Sequence, residues 1–472
     1  MEKLQLYIGG QWVDGHSGEY IYVENPAKKE MIAAVPKADE EDVQRAVKAA
    51  KSGYEIWRFY SGKQRAECLY RLADFFEVHQ KEIASTVTQE LGAPVSMAEQ
   101  WHVAGAAGET RFFAKLAEDF AYETRHSGYI LRREPYGIVA GITPWNYPLD
   151  QITLKILPAL AAGNCVILKP SQMAPLTAYW FTRGIEEAGF PAGVLNLVTG
   201  CGGEVGNVLA LHPDIRMLSF TGSTSAGREV GRLALSNIKK CTLELGGKSA
   251  AIVLQDADYE MAVDAVLTDC FMNTGQTCNA ITRLLIPASA KEEMEELAIA
   301  RAREFVVGDP QDPNVDIGPL VSQKAYNSVA EYIKKGLEEG ASMIAGKVPD
   351  GAEKGYYIQP VIFSDVRNDM TIAKEEIFGP VLCMITYDSL EEAIAIANDS
   401  EYGLCGGVFG PEKEAIEVAR QMETGVVCIN GSGINSGAPF GGYKQSGIGR
   451  ESCEQSMDEY MEIKAICIPM EG

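Results

Sequence analysis

Between residues 137 and 245 short β-rich apolar runs alternate with helix-length amphipathic segments: GIVAGI, NCVILK, VLNLV, MLSF and CTLEL, with helical patterns at 152–162, 175–188, 205–211 and 226–235. A continuous apolar strand is buried on both faces, and parallel neighbours need a crossover helix between them. The pattern therefore predicts a parallel sheet with helices on both sides, the architecture on which nucleotides bind by fold analogy. A second series follows, with AAIVL, RLLIP, VIF, VLCMITY and VVCIN as strands and helices near 258–273, 290–303, 325–339 and 389–398. The fold class is α/β, with two doubly wound domains. Upstream, residues 41–120 read as helices, with apolar positions near the 3.6 period at 42–57, 65–78 and 97–117, before a ribbon-like piece around Tyr129, Leu131 and Arg133. The stretch 309–319 is the most loop-like.

A chain of 472 residues exceeds one simple core, so two or three domains are expected. With 42 Lys+Arg against 65 Asp+Glu the net charge is −23, which opposes binding to nucleic acid or an anionic membrane. The longest apolar runs, 137–142 and 156–162, fall far short of the roughly 20 residues of a membrane span. The start, MEKLQLYIGGQWVDG, has strand-like alternation and lacks the basic flank and apolar run of a secretory signal. Eleven scattered cysteines, mostly in apolar runs, read as reduced thiols, and a cytoplasmic location is expected. No CxxC pair occurs and the five histidines lie far apart, so no metal-ligand set is visible.

The carboxyl ends of parallel strands are where ligands bind, and several here carry unusual residues. Thr143 to Pro148, TPWNYP, is a two-proline turn that presents the Asn146 amide, a neutral donor suited to an oxyanion; an ordinary turn asparagine is the alternative. Lys169 with Ser171 and Gln172 offers a cation and hydrogen-bonding groups for a ribose or phosphate, though a surface lysine would read the same. Gly202 and Gly206, then Phe220, Gly222 and Ser223, lie between strand and helix, where a helix start can approach a phosphate. Neither glycine group matches G-x-G-x-x-G. Glu244 ends an apolar strand, and burial there would raise its proton affinity towards that of a base useful near neutral pH. The following GGKS is not a P-loop, because the required first glycine is Thr242.

The segment FMNTGQTCNA sets Cys278 in a polar, glycine-punctuated stretch between apolar runs. A nucleophilic thiol must be reachable and have its thiolate stabilised, whereas a packing cysteine sits among aliphatic neighbours. Taken alone, a cysteine in a turn is more often a buried small residue.

Together TPWNYP, LKPS, FTGSTSAG, ELGGKS, GQTCNA, the run Glu375 to Pro380 (EEIFGP) and Ala438 to Gly442 (APFGG) resemble the aldehyde dehydrogenase superfamily, in order and across essentially the whole chain. Glu244 and Cys278 also have the family spacing of 34 residues. The resemblance implies a Rossmann-like coenzyme domain (1–118 and 136–246), a catalytic domain (247–441) and a β oligomerisation element (119–135 and 442–472, with a strand near 460–470) that joins homodimers or homotetramers. It implies Cys278 as nucleophile, Asn146 with the Cys278 N–H as oxyanion donors, Glu244 as the base that activates water, and Lys155 as a support for Asn146 and a proton path. Coenzyme contacts are implied at Ile142, Thr143, Trp145, Lys169, Ser171, Gln172, Gly202, Gly206, Phe220, Gly222, Ser223, Leu245 and Gly246. Glu376 would hold the nicotinamide ribose and Phe378 would pack near the nicotinamide. The substrate tunnel would be lined by Tyr147, Asp150, Gln151, Leu154, Thr277 and Asn279.

The expected reaction is oxidation of a small aldehyde to its acid with NAD or NADP. The rivals are a coenzyme A-acylating dehydrogenase or acyl phosphate reductase, neither of which needs Glu244, and a non-catalytic homologue, which would predict loss of Cys278, Glu244 or Asn146. Asp150 and Gln151 stand where many relatives carry apolar residues, so either they admit a polar, amino- or hydroxyl-bearing aldehyde or they serve the helix start. Gln172 replaces the glutamate of many NAD-preferring relatives, which predicts use of both coenzymes.

Overall fold

The computed structural model describes residues 2–435 and 437–469. Its first sheet has eight strands, in the order Gly447–Ile448, Lys240–Glu244, Met217–Thr221, Ile138–Ile142, Cys165–Lys169, Leu195–Leu197, Leu6–Ile8, Gln11–Val13. The five apolar runs are its parallel middle strands. Both edges are antiparallel, so the expected parallel sheet of five strands is extended into a mixed one. The alternation in LQLYIGGQWV belongs to one of these edges, where a hairpin needs no crossover helix.

In chain order the five middle strands run third, second, first, fourth, fifth, so the winding reverses beside Ile138–Ile142. A crevice opens there at the strands' carboxyl ends. The helix Pro148–Ala162 leaves this crevice with proline in its first turn, where the missing N–H costs nothing, and is buried along nearly its whole length.

The second sheet has seven strands: Ser342–Ala345, Val361–Ser364, Val381–Tyr387, Ile281–Pro287, Ser249–Val253, Cys405–Phe409, Val426–Ile429. All pairs are parallel except the first. Cys405–Phe409, CGGVF, is a central strand that the apolar pattern missed because two glycines interrupt it. Gly406 has a packing reason: a Cβ there would lie 2.5 Å from the Met422 methyl. The helices Gln80–Leu91 and Glu412–Ala419 were likewise not singled out, and the 97–117 helix opens with a π-helical stretch, Ala98–Ala104.

The ribbon comprises Glu123–His126 and Tyr129–Pro135, joined by Met461–Cys467 in a three-stranded antiparallel sheet. Met470, the expected end of that last strand, and residues 471–472 lie outside the described residues. Within 442–472, Tyr443–Lys444 pairs with Tyr402–Gly403 and Gly447–Ile448 pairs with Lys240–Glu244, so this stretch also serves both large domains. No helix among the described residues is long and apolar enough to cross a membrane.

Candidate active site

The helix Tyr259–Phe271 runs into a turn in which Asn273 (φ 52°), Thr274 (φ 60°) and Gly275 (φ 71°) are all left-handed. Two of the three carry a Cβ, which costs roughly 1–2 kcal/mol each in that region. The surroundings impose it. Asn273 Nδ2 donates to the Asn146 carbonyl (2.7 Å), Thr274 Oγ1 to the Gly318 carbonyl (3.1 Å), and Gln276 Oε1 accepts from the Val321 N–H (2.9 Å). Cys278 leaves this turn with its carbonyl against Gly247, where a Cβ would come within 2.4 Å of that oxygen.

Asn146 is buried, and one of its two amide hydrogens is donated to the Gln276 carbonyl at 3.0 Å. The side chain is thereby clamped to the loop that carries Cys278. The backbone N–H groups of Cys278 and Asn279 favour the thiolate, but burial, with the charges of Glu376 and Glu244, dominates and holds the thiol well above its usual range.

Glu244 ends its strand buried, and neither carboxylate oxygen has a hydrogen-bond partner among the described residues. Burial, then the charge of Glu451, raises its proton affinity, while Lys155 and Arg450 pull it down. Gly441 leaves room for it, since a Cβ there would lie 2.7 Å from Glu244 Oε1. Lys155 has its ion pair with Glu451 (2.7 Å), a residue the sequence reading did not single out.

At the strand ends, Lys169 is buried, donates to the Pro170 carbonyl (3.0 Å) and is pushed down to about 8 by burial. Ser171 Oγ accepts from the Met173 N–H (3.2 Å), and Gln172 is exposed. Ser223 caps the helix Thr224–Leu235 through the Ala226 N–H. Gly222 sits where a Cβ would strike the Phe220 ring at 2.7 Å. Leu245 is fixed by its N–H to the Ser446 carbonyl (2.9 Å), and Gly206 lies beside Ile142.

Glu376 accepts from the Gly247 N–H (3.0 Å), fills the space a Cβ on Gly246 would take, and is raised to about 7 by burial. Phe378, at φ 58°, meets Trp145 edge to face with ring centroids 5.4 Å apart.

Two features fit a dinucleotide here. The buried hydroxyls of Thr143 and Thr221 have no hydrogen-bond partner among the described residues, and a buried polar group without a partner costs about 1–3 kcal/mol. A Cβ on Gly202 or Gly203 would meet nothing within 4 Å, leaving an open cradle at the start of the following helical segment.

Cys278 lies in a cavity of about 510 Å³ that Tyr147, Asp150, Gln151, Leu154, Thr277 and Asn279 also line. Asp150 and Gln151 thus open onto the tunnel. Tyr147 is fixed by Thr277 Oγ1 (2.9 Å) and by stacking on His102 (4.8 Å between centroids). Glu109, Trp101, Phe112 and Phe440 complete the walls and were not read from the sequence as tunnel residues. A wider groove of about 720 Å³ lies elsewhere, beside Arg58, Arg132 and Arg216, away from the thiol.

A family model described as the aldehyde dehydrogenase family matches residues 12–466. The chain is 46% identical over 466 residues to a 3-succinoylsemialdehyde-pyridine dehydrogenase of a Pseudomonas species, covering 98% of each. A mutant of aldehyde dehydrogenase C from Pseudomonas syringae, complexed with NAD+ and octanal, superposes with a TM-score of 0.97 at 42% identity, over 98% of this chain and 96% of that one. An NADP-dependent enzyme of E. coli superposes with a TM-score of 0.96 at 37% identity, over 99% and 98%.

Proposed function

The chain belongs to the aldehyde dehydrogenase family and oxidises aldehydes with a nicotinamide coenzyme; from that premise we propose that Cys278 is its nucleophile, Asn146 its oxyanion donor and Glu244 its hydrolytic base. The observation that carries this reading is the packing of the turn after Glu244 on Cys278. Gly247, three residues beyond Glu244, lies against the Cys278 carbonyl, and Glu244, buried at its strand end, has no hydrogen-bond partner for either oxygen among the described residues.

The thiol gives up its proton to water, the sulfur bonds to the aldehyde carbon and the carbonyl π bond opens. The carbonyl oxygen takes the negative charge between Asn146 Nδ2–H and the Cys278 N–H. Bound NAD(P) would accept the hydride that leaves the aldehyde carbon, while the oxyanion re-forms a carbonyl and Cys278 is left as a thioester. Glu244 then takes a proton from water as its oxygen bonds to the thioester carbon, and the carbon–sulfur bond breaks to release the carboxylic acid and the thiolate. Lys155 and Glu451 set the charge around that base. Lys169, Ser171, Gln172 and Ser223 would hold the adenosine end of the coenzyme, with Gly202 and Gly206 at its pyrophosphate. Ile142, Thr143, Phe220, Gly222, Leu245 and Gly246 would line the cleft, and Glu376, Phe378 and Trp145 would surround the nicotinamide ribose and ring.

A thioester that accumulates on Glu244→Gln tests the assignment. After aldehyde and NAD, intact-mass measurement should show one acyl group on the protein, absent when Cys278 is also alanine. An unmodified protein with full turnover would overturn it.

The coenzyme domain is assigned to 1–118 and 136–246, the catalytic domain to 247–441, and 119–135 with 442–472 to subunit contacts. In support, the ribbon exposes Ile463, Ile466 and Tyr129, apolar groups that a homodimer or homotetramer would cover. A cytoplasmic location accords with eleven free cysteines.

A further inference from the structure

The cavity that Cys278 lines carries two carboxyl groups as well. Asp150 lies in the first turn of Pro148–Ala162, and Glu109 lies on the helix Gly105–Asp119 opposite. Thr153 Oγ1 donates to Glu109 Oε2 at 2.6 Å, which ties this carboxyl to the helix that bears Asp150. Gln151 Nε2 reaches Asp150 Oδ2 at 3.4 Å, while Gln151 Oε1, buried and opening on the same cavity, has no partner among the described residues. No lysine, arginine or histidine lines the cavity among the described residues. Lys155 lies behind the wall, committed to Glu451.

The unused capacity of this wall is therefore acceptor capacity, and an apolar ligand would bury it unsatisfied. Four aromatic residues, Trp101, Phe112, Tyr147 and Phe440, are also in the lining, and aromatic rings attract a cation. Gly105 and Gly108 lie one turn apart beside Glu109, and a Cβ on either would meet nothing within 4 Å. Helical glycine costs about 1 kcal/mol relative to alanine, so these two keep the tunnel wide at its acidic part.

We propose that the tunnel selects aldehydes that carry a basic, N–H-bearing nitrogen remote from the carbonyl, seated between Glu109 and Asp150 among the aromatic rings. This rests on the reading of Cys278 as nucleophile. The electrostatics agree: burial, then Asp150, raises Glu109, and burial, then Glu451, raises Asp150 to about 6 against the pull of Lys155. A cation between the carboxyls relieves both. The net charge of −23 attracts such substrates from solution.

The test compares 4-(dimethylamino)butanal with 5-methylhexanal, which share one heavy-atom skeleton and differ in a protonated nitrogen for a carbon. At neutral pH kcat/KM should favour the amine at least about tenfold in the wild type, and Glu109→Gln with Asp150→Asn should bring the ratio to within about threefold of one. A wild-type ratio below tenfold, or a double variant that keeps the preference, overturns the proposal. Should the variant fail to fold, N,N-dimethylbutylamine should still inhibit wild-type oxidation of 5-methylhexanal competitively, and its failure at millimolar concentration would sink the idea. Cys278-dependent oxidation of both aldehydes without preference leaves the mechanism standing and removes only this inference. Oxidation of neither removes both.

Discussion

Lys155 Nζ lies 2.7 Å from Glu451 Oε1 with both side chains buried, and Glu451 Oε2 has no hydrogen-bond partner among the described residues. The pair is a buried charge cancelled on one side only. Removing either partner strands the other, which costs about 3–5 kcal/mol, whereas replacing both with apolar residues of similar volume is often neutral. Lys155→Met and Glu451→Leu should each lower the urea midpoint strongly, and the double variant should recover most of the loss. Additive single effects would mean that the pair is not coupled.

The same pair should set the pH profile. As the proposed base Glu244 must be ionised, and burial with Glu451 raises its proton affinity, so hydrolysis should be lost as pH falls through a value above that of an ordinary glutamate. Glu451→Gln removes a raising charge and leaves Lys155, a lowering one, unopposed. The acid limb of kcat should move to lower pH, with the opposite shift for Lys155→Met and no such limb in Glu244→Gln. A limb that stays in place in Glu451→Gln would exclude this control.

Asn146 donates to the carbonyl of Gln276, two residues before the thiol. Asn146→Ala should lower kcat about 100- to 1000-fold by removing an oxyanion donor. Asn146→Asp should be at least as damaging, because it turns an acceptor towards the Gln276 carbonyl. A change confined to KM would reduce Asn146 to a positioning role.

The parts of the site that were legible in the sequence are those written in residue type. Five apolar runs marked the middle strands, and Cys278, Glu244 and Asn146 stood out as polar residues at strand ends or in a turn. Glu451 and Glu109 did not, because their partners Lys155 and Thr153 are 296 and 44 residues away, and a lone glutamate reads as surface. Nor did the left-handed turn before Cys278: threonine is β-branched and ordinarily excluded from positive φ, so only tertiary hydrogen bonds reveal why Thr274 adopts it. In Gly246 and Gly247 the sequence displayed glycines whose use, space for the Glu376 carboxylate and the Cys278 carbonyl, appears only in three dimensions.

Gly247→Ala should therefore disable the proposed nucleophile, Cys278, by displacing its backbone. Its Cβ would fall 2.4 Å from the Cys278 carbonyl oxygen and 3.3 Å from Leu404 Cβ, so the loop must shift. A displacement near 1 Å can cost about 100-fold in rate, and kcat should fall at least that far while the protein remains folded by circular dichroism. Near-normal turnover would mean that the loop position is not critical.

If Lys169 and Gln172 hold the adenosine end of the coenzyme as proposed, the exposed Gln172 and the buried Lys169 should set coenzyme choice. A glutamate at 172 would accept hydrogen bonds from the adenosine ribose and repel a 2′-phosphate; the amide accepts through one oxygen, donates through its nitrogen and carries no charge. Lys169 Nζ makes one hydrogen bond to the Pro170 carbonyl, and burial depresses its proton affinity to about 8, so an approaching phosphate would favour its charged form. Both coenzymes should therefore be used, with kcat/KM for NAD no more than about tenfold above that for NADP, or about 1.4 kcal/mol. Gln172→Glu restores the repulsion and should shift the ratio towards NAD by at least about tenfold, mostly through KM for NADP. A wild type that already rejects NADP a hundredfold, or a variant with an unchanged ratio, would mean that the surrounding loop, rather than the charge at 172, excludes the phosphate.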